Sequence, residues 1–263
     1  MLIKLWSLFF IPFFQVTALQ LTHMDKPFGW NSETSLSEIA FDYGVAEEGI
    51  QASKWIFNSA VTNQSTGVDL MAVAPGANQA FIEWTGKTTK AEWRTELKLK
   101  LDYDSATASG NCPMFGYVLH PGSMTINSDN TIPNFKGLAI WLQFCENGGG
   151  ILGHFTDTNL ASYDPYAYAF GLTCDSCGFG SSVPSTVILI IQVVEDRLQV
   201  AMKLPSMIST MCVNYFDITG FKSMITSIPV TVYMVGVNGN YGDLEVVSHE
   251  HTHLGADTLR CNV

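Results

Sequence analysis

The residues with most chemistry to offer are histidines and cysteines. His249-Glu250-His251-Thr252-His253 sets three imidazoles at a spacing of two. On an extended strand that spacing puts all three on one face, and neutral imidazoles ligate zinc. The sequence places no further carboxylate or cysteine beside them, so a solvated outer face is the simpler expectation. His120 and His154 stand alone and read as ordinary loop histidines. Cys174-Asp-Ser-Cys177 has redox or zinc spacing, but no second CxxC accompanies it. In a secreted chain these two read as structural half-cystines.

Catalytic signatures are missing. There is no Gly-x-Ser-x-Gly elbow and no phosphate-binding Gly-x-x-x-x-Gly-Lys loop, and His249-Glu250-His251-Thr252-His253 spells His-Glu-x-x-His only within a segment that reads as a strand, without the helix that motif needs. A jelly-roll glycosidase needs two carboxylates roughly 5 to 9.5 Å apart across its groove. Glu83, Glu92 and Glu96 are the candidates, and their Lys and Thr neighbours point to a solvated face. Binding is therefore expected, and an enzyme is not.

Such residues must be positioned by short strands. Runs rich in Val, Ile, Phe, Tyr and Trp alternate with Gly, Asn, Asp, Ser and Thr clusters, which is the pattern of many antiparallel strands. Strands are expected at Ala80–Trp84, Trp93–Tyr103, Met114–Leu119, Leu138–Phe144, Gly150–Phe155, Val187–Val194, Arg197–Met202, Val230–Val237 and Leu244–Leu254. From Glu96 to Leu101 apolar and charged residues alternate, so the leucines face a core while Glu96, Lys98 and Lys100 face water. Val187–Val194 is apolar on both faces and belongs inside a sheet. Glu195-Asp196 reads as a hairpin turn, Asn238 to Asp243 as a tight loop, and residues 44–53 as a little helix. With no linker and no repeat, the fold class is all-β, a two-sheet antiparallel jelly-roll sandwich.

The N-terminus sets the compartment. Lys4, the apolar run Leu5 to Phe14 and the small residues Val16-Thr17-Ala18 form a signal peptide over residues 1–18. The run is too short to span a bilayer, and no later segment reaches the ~20 apolar residues a spanning helix needs. Residues 19–263 are then one domain. The net charge is −11, and losing Lys4 takes it to about −12, which argues against nucleic acid or an anionic membrane as partner. Six cysteines suit an oxidising compartment. Asn63-Gln64-Ser65 is a glycosylation sequon.

Ordered motifs now carry a resemblance. Pro27-Phe28-Gly29 follows His23. Phe135-Lys136-Gly137-Leu138-Ala139-Ile140-Trp141-Leu142 leads to Glu146-Asn147-Gly148. Asn214-Tyr215-Phe216-Asp217-Ile218-Thr219-Gly220 follows Cys212, and Gly242-Asp243-Leu244 opens the last strand. The set, over about residues 20 to 254, resembles the L-type (legume-like) lectin domains of early-secretory cargo receptors. The resemblance implies a concanavalin-like sandwich with glycans or glycoproteins as partners and a sugar site on loops above one sheet.

It also implies a calcium ion that orders those loops. Asn147 matches the shared calcium and sugar ligand, and Gly242, Asp243 and Leu244 match the sugar loop. Gln143 stands where a calcium-binding Asp is expected, Cys112 where a sugar-binding Asp is expected, and Pro165 of Tyr163-Asp164-Pro165 where a His is expected. Tyr166 to Tyr168 lie where a second calcium Asp belongs, so Asp157 or Asp164 could substitute only in a rebuilt loop. Gln143, Asn147 and Asp164 carry little charge for a cation that prefers several carboxylates, so calcium binding is expected to be weak or absent. The alternative is a lectin-fold adhesion or scaffold module that has lost sugar and calcium and holds a protein partner.

The family positions also bring Cys112 and Cys145 to the ends of neighbouring strands, where a disulfide would brace the loop that an ion braces in relatives. A second bridge implied by the resemblance joins Cys212 to Cys174 or Cys177, leaving the other for Cys261. The relatives carry a stalk, a membrane helix and a sorting tail. Val263 follows here without these and without a retention tetrapeptide, so secretion or surface association is the expectation.

Overall fold

The computed structural model describes residues 55–57, 62–64, 67–70, 79–84, 86–103, 114–143, 150–165, 186–204, 212–237 and 242–253. The expected signal peptide, the Pro27-Phe28-Gly29 motif and the little helix over residues 44–53 fall outside them, as do Cys112, Cys145, Cys174, Cys177, Cys261 and Asn147.

Among the described residues, thirteen strands form two antiparallel sheets. They are β1 (Trp55–Phe57), β2 (Thr62–Gln64), β3 (Gly67–Asp69), β4 (Gln79–Trp84), β5 (Trp93–Tyr103), β6 (Met114–His120), β7 (Ile132–Gln143), β8 (Gly150–Tyr163), β9 (Thr186–Val194), β10 (Arg197–Lys203), β11 (Cys212–Asp217), β12 (Thr231–Val237) and β13 (Gly242–His253), with one short helix, α1 (Phe221–Ser227). The six-stranded sheet runs β1-β4-β12-β6-β7-β8, and the seven-stranded sheet runs β11-β10-β9-β5-β13-β3-β2. The two-sheet sandwich expected from the sequence is the architecture observed.

Local chemistry explains the elements. In β5, Leu97, Leu99 and Leu101 are buried while Lys98 and Lys100 are exposed, the alternation of a strand with one core face. β9 lies between β10 and β5, inside its sheet as expected. Glu195 and Asp196 both take positive φ (47° and 59°) in the two-residue turn that joins β9 to β10.

The helix was not legible. It is seven residues long, opens at Gly220 with φ 94°, and has no side-chain cap and no acidic residue in its first turn. The turn supplies what the helix lacks. Asp196 Oδ2 accepts the Gly220 N–H at 3.1 Å and Oδ1 accepts the Lys222 N–H at 2.6 Å. Asp217 Oδ1 closes the preceding turn by accepting the Thr219 N–H and hydroxyl. The Asn214–Gly220 motif is thus used, from Asp217 on, in joining hairpin to helix.

The main core lies between the sheets. It is built by Ile82, Trp84, Phe115, Tyr117, Leu119, Ile140 and Met234 from one side and by Trp93, Leu97, Leu99, Leu189, Val200 and Val246 from the other, with Phe221, Met224 and Ile225 of α1 closing one end. His249 belongs here too, at 0% exposure, with its ring 5.9 Å from that of Tyr117. The expected solvated face is therefore wrong for this residue. The reason is an irregularity in β13. The register with β5 slips between Val246 and Ser248, so Leu244 and Val246 oppose Leu101 and Leu99, and His249 then opposes Leu97. One extra residue exchanges the two faces of a strand.

β7 and β8 are longer than expected, and their distal halves fold back. Tyr163 pairs with Ile132, nine positions along β7 from Trp141. A straight strand would hold those positions about 30 Å apart. Yet the Trp141 Nε1–H donates to the Tyr163 hydroxyl at 3.0 Å. The β7–β8 ribbon therefore bends sharply over the outer face of its own sheet. The bend sits at the register break between Phe135 and Gly137, opposite Asp157–Asn159. Asn134 and Gly137 both have positive φ there (53° and 136°), and a Cβ on Gly137 would meet the Leu119 carbonyl oxygen at 2.0 Å. Only glycine fits.

Candidate functional site

The fold-back creates a second core. Met114, Val118, Ala139, Trp141, Leu152, Tyr233, Val235 and Val237 line the sheet's outer face. Met124, Ile132, Phe135 and Tyr163 cover them, with Ile126 and Leu160 packed alongside. Tyr163 stacks on Phe135 at 4.4 Å and on His154 at 5.0 Å. The Tyr233 hydroxyl donates to the Gly122 carbonyl at 2.9 Å and accepts the Met124 N–H at 3.2 Å, pinning the 121–131 segment. His120 and His154 are buried strand residues of this layer: His154 lies within the strand expected at Gly150–Phe155, and β6 runs one residue past the expected Leu119 to take in His120. Burial lowers the His154 pKa below its ordinary value.

The outer face of the six-stranded sheet is closed over by its own chain, and its strand ends form a rim. Five residues form a row across the six-stranded sheet. Gln79 pairs with Val237, Val237 with Met114, Met114 with Gln143 and Gln143 with Gly150. In the other sheet Tyr103 pairs with Gly242 at the same end. The connections 71–78, 104–113, 144–149 and 238–241 all leave from these residues. β9 begins near this end, where Thr186 faces Lys100, so the connection 166–185 arrives here as well. The opposite end has the two-residue turn at Glu195 and Asp196, and α1.

The site residues expected from the sequence fall on this rim in part. Gln143, half-buried, ends β7. Asn147 lies in the 144–149 connection, outside the described residues. Gly242 and Asp243 are the first residues of β13 and pair with Tyr103 and Asp102, so they belong to a strand and not to a free loop. The Leu244 side chain is sunk in the main core, and its carbonyl accepts the Leu70 N–H at 2.8 Å. Only its backbone is near the rim.

Asp164 benefits from the fold-back. It follows Tyr163, whose hydroxyl touches Trp141 two residues before Gln143, whereas an unbent ribbon would leave it at the far end of the sheet. Pro165 beside it is buried, and Asp157 is exposed at the bend.

Among the described residues no group of three or more His, Cys, Asp or Glu converges to hold a metal ion. Gln143 and Asp164 offer one neutral amide and one carboxylate. Calcium takes six to eight oxygens with several carboxylates, so the described donors do not fit it. His249, buried beside Tyr117, is pulled down to about 3 by desolvation. It is a core residue and not part of a zinc site on the surface.

No family model and no curated protein sequence matches the chain. Solved structures do match. The exoplasmic/lumenal domain of VIP36 in its Ca2+-bound form is similar at a TM-score of 0.61 and 14% identity, over 82% of this chain and 90% of that one. The legume lectin-like domain from Entamoeba histolytica gives 0.57 and 12%, over 78% and 92%. The metal-free carbohydrate recognition domain of Emp46p gives 0.56 and 13%, over 81% and 95%. The chain has an L-type lectin-like fold, a concanavalin-like sandwich, reached with very little sequence in common.

Proposed function

We propose, on the premise of an L-type lectin-like fold, that the chain is a glycan-binding protein of the secretory pathway or cell exterior that recognises glycans or glycoproteins and performs no catalysis. One observation carries the reading. The strand ends that bear the Asn147 segment and the Gly242-Asp243-Leu244 segment share one rim, the row from Gln143 to Val237. Sugar hydroxyls need fixed donors and acceptors, and a rigid second core beneath the rim supplies that rigidity. The solved neighbours support the same class, since VIP36 is described in a Ca2+/Man2-bound form.

In this reading the Asn147 amide and the backbone of Gly242, Asp243 and Leu244 make the sugar contacts. Calcium is weak or absent at Gln143, Asn147 and Asp164. A signal peptide over residues 1–18 delivers the single domain of residues 19–263, and Asn63 carries a glycan on β2, at the edge of its sheet. No helix among the described residues is long and apolar enough to cross a membrane.

The test is binding of the secreted chain to a panel of high-mannose and other glycans, with calcium and with chelator. Chelator-insensitive binding that falls at least tenfold in Asn147→Ala supports the reading. Calcium-dependent mannose binding would mean a rim rebuilt around Asp164, since Asp157 lies beside Gly220 at the other end. Absence of binding in both conditions favours the second reading, a lectin-fold adhesion or scaffold module with a protein partner. The poverty of carboxylates among the described rim residues is the observation on its side.

A further inference from the structure

The two halves of the bent ribbon meet on a histidine. His154 sits on β8 opposite Ala139, on the side that Leu152 turns to the second core, and is 9% exposed. Further along the same strand Tyr163 has come back over it, with the rings 5.0 Å apart and 18° from parallel. Phe135 of β7 lies 6.1 Å from the His154 ring and stacks on Tyr163 at 4.4 Å. Lys136 follows Phe135 and is half-buried. From β6, His120 contacts the same Phe135 at 6.1 Å, and its ring nitrogens lie 2.9 and 3.4 Å from the Gly122 and Asn134 carbonyl oxygens. On β8 itself the charges are Asp157, exposed at the bend, and Asp164 beyond Tyr163, whose hydroxyl burial keeps protonated. α1 and β11, with Lys222 and Asp217, meet β8 from the core side through Phe155 and Gly153. Burial alone shifts the His154 ring, downward, and no carboxylate contributes. The Tyr163 face attracts a cation, but desolvation sets the direction.

We propose that His154 is an acid release for the ribbon: a proton on its ring drives residues 132–135 and 160–163 off the outer face of the six-stranded sheet. A charged imidazole has to reach water, and the rings lying on it belong to the half of the ribbon that can swing away. The hinge is already built. The ladder breaks between Phe135 and Gly137, and Asn134 and Gly137 both have positive φ beside the break. Opening uncovers Ala139 and Trp141 and takes Asp164 away from the end of β7. The neutral ring holds the ribbon fully above the ordinary histidine value of 6.5 and releases it as the pH falls below that value. His249 belongs to the main core and responds only with the whole domain. On the lectin reading the open rim loses its support and binds sugar less tightly in acid. That consequence rests on the reading, and the opening does not.

Hydrogen exchange of the secreted full chain across a pH series, corrected for the intrinsic pH dependence of exchange, tests this. Between about pH 7.5 and about pH 5, residues 157–163 are expected to lose at least about tenfold in protection while β5 and β9 keep theirs. His154→Phe keeps an aromatic ring under Tyr163 and takes no proton, so its ribbon should stay protected throughout, and His154→Leu should behave likewise. Protection of residues 157–163 that does not change with pH in the parent would overturn the proposal. The same loss in a folded His154 variant would overturn it too, as would a loss shared equally by β5 and β9. Titration of the His154 ring in the parent, followed by NMR, needs no variant to fold. The ring is expected to gain its proton over the same pH range in which the ribbon loses protection, and a ring that gains it with the ribbon still protected also overturns the proposal. Exchange needs no ligand, so failure to bind glycans removes the lectin reading and leaves this one standing.

Discussion

At the scale of single residues the core histidine has the clearest consequence. His249 titrates near 6.5 when exposed and near 3 in the core. Between those values the unfolded chain holds a proton that the folded chain lacks. Stability from the neutral ring is therefore complete above about pH 6.5 and is lost as the pH falls toward 3, a difference on the order of 5 kcal/mol by linkage. His154 adds in the same direction. Urea unfolding at a series of pH values should show a shallower acid loss in His249→Leu than in the parent, and parallel curves would refute the assignment. Gly116 offers a steric test. A Cβ there would sit 2.4 Å from the Trp141 ring, so Gly116→Ala is expected to cost about 1–3 kcal/mol. Combining it with Trp141→Leu should give less than the sum of the two single losses. None of this was legible in the sequence. His249 looked like one of three solvated imidazoles because the slip between Val246 and Ser248 leaves no mark in residue type.

Among the elements, the bent β7–β8 ribbon matters most. It converts an open sheet face into a second core and carries Tyr163, and with it Asp164, back toward the end of β7. Tyr163→Phe keeps the ring stack but strips the acceptor from the buried Trp141 Nε1–H, a loss of about 1–3 kcal/mol. Hydrogen exchange should quicken over residues 157–163 in that variant while β5 and β9 stay protected. Uniform loss of protection would mean the ribbon unfolds only with the whole domain. The strands with regular alternation, β5 above all, were legible, as were the Glu195-Asp196 turn and the inward place of β9. The fold-back was not, because it depends on a contact between residues 22 apart in sequence, and hydrophobic periodicity reports only neighbours. Helix α1 escaped notice for a related reason. Its capping carboxylate comes from Asp196, across space.

The whole molecule is two sheets with unequal ends. One end has the two-residue turn and the helix it holds. The other carries the strand ends Gln79, Tyr103, Met114, Gln143, Gly150, Val237 and Gly242. The order of motifs along the chain was enough to give the sandwich. The ligand set was not readable, because Gln143, Cys112 and Pro165 depart from the pattern that would have named it. The asymmetry predicts different tolerance at the two ends. Three Gly-Ser residues inserted in the 71–78 connection should lower the unfolding free energy by under about 1 kcal/mol, since loop closure grows slowly with length. The same insertion between Glu195 and Asp196 displaces the carboxylate that accepts the Gly220 and Lys222 N–H groups and should lose about 1–3 kcal/mol. Equal losses at both sites would contradict this division.

A rim where five connections meet, underlain by its own apolar layer, behaves as a grafting surface. Changes in segment length there alter what the molecule can touch without disturbing how it folds. Partner choice in such a scaffold is free to drift by insertion and deletion as much as by substitution. That is one way for architectures to stay superimposable while sequences fall to the 12–14% identity seen between this chain and the solved structures.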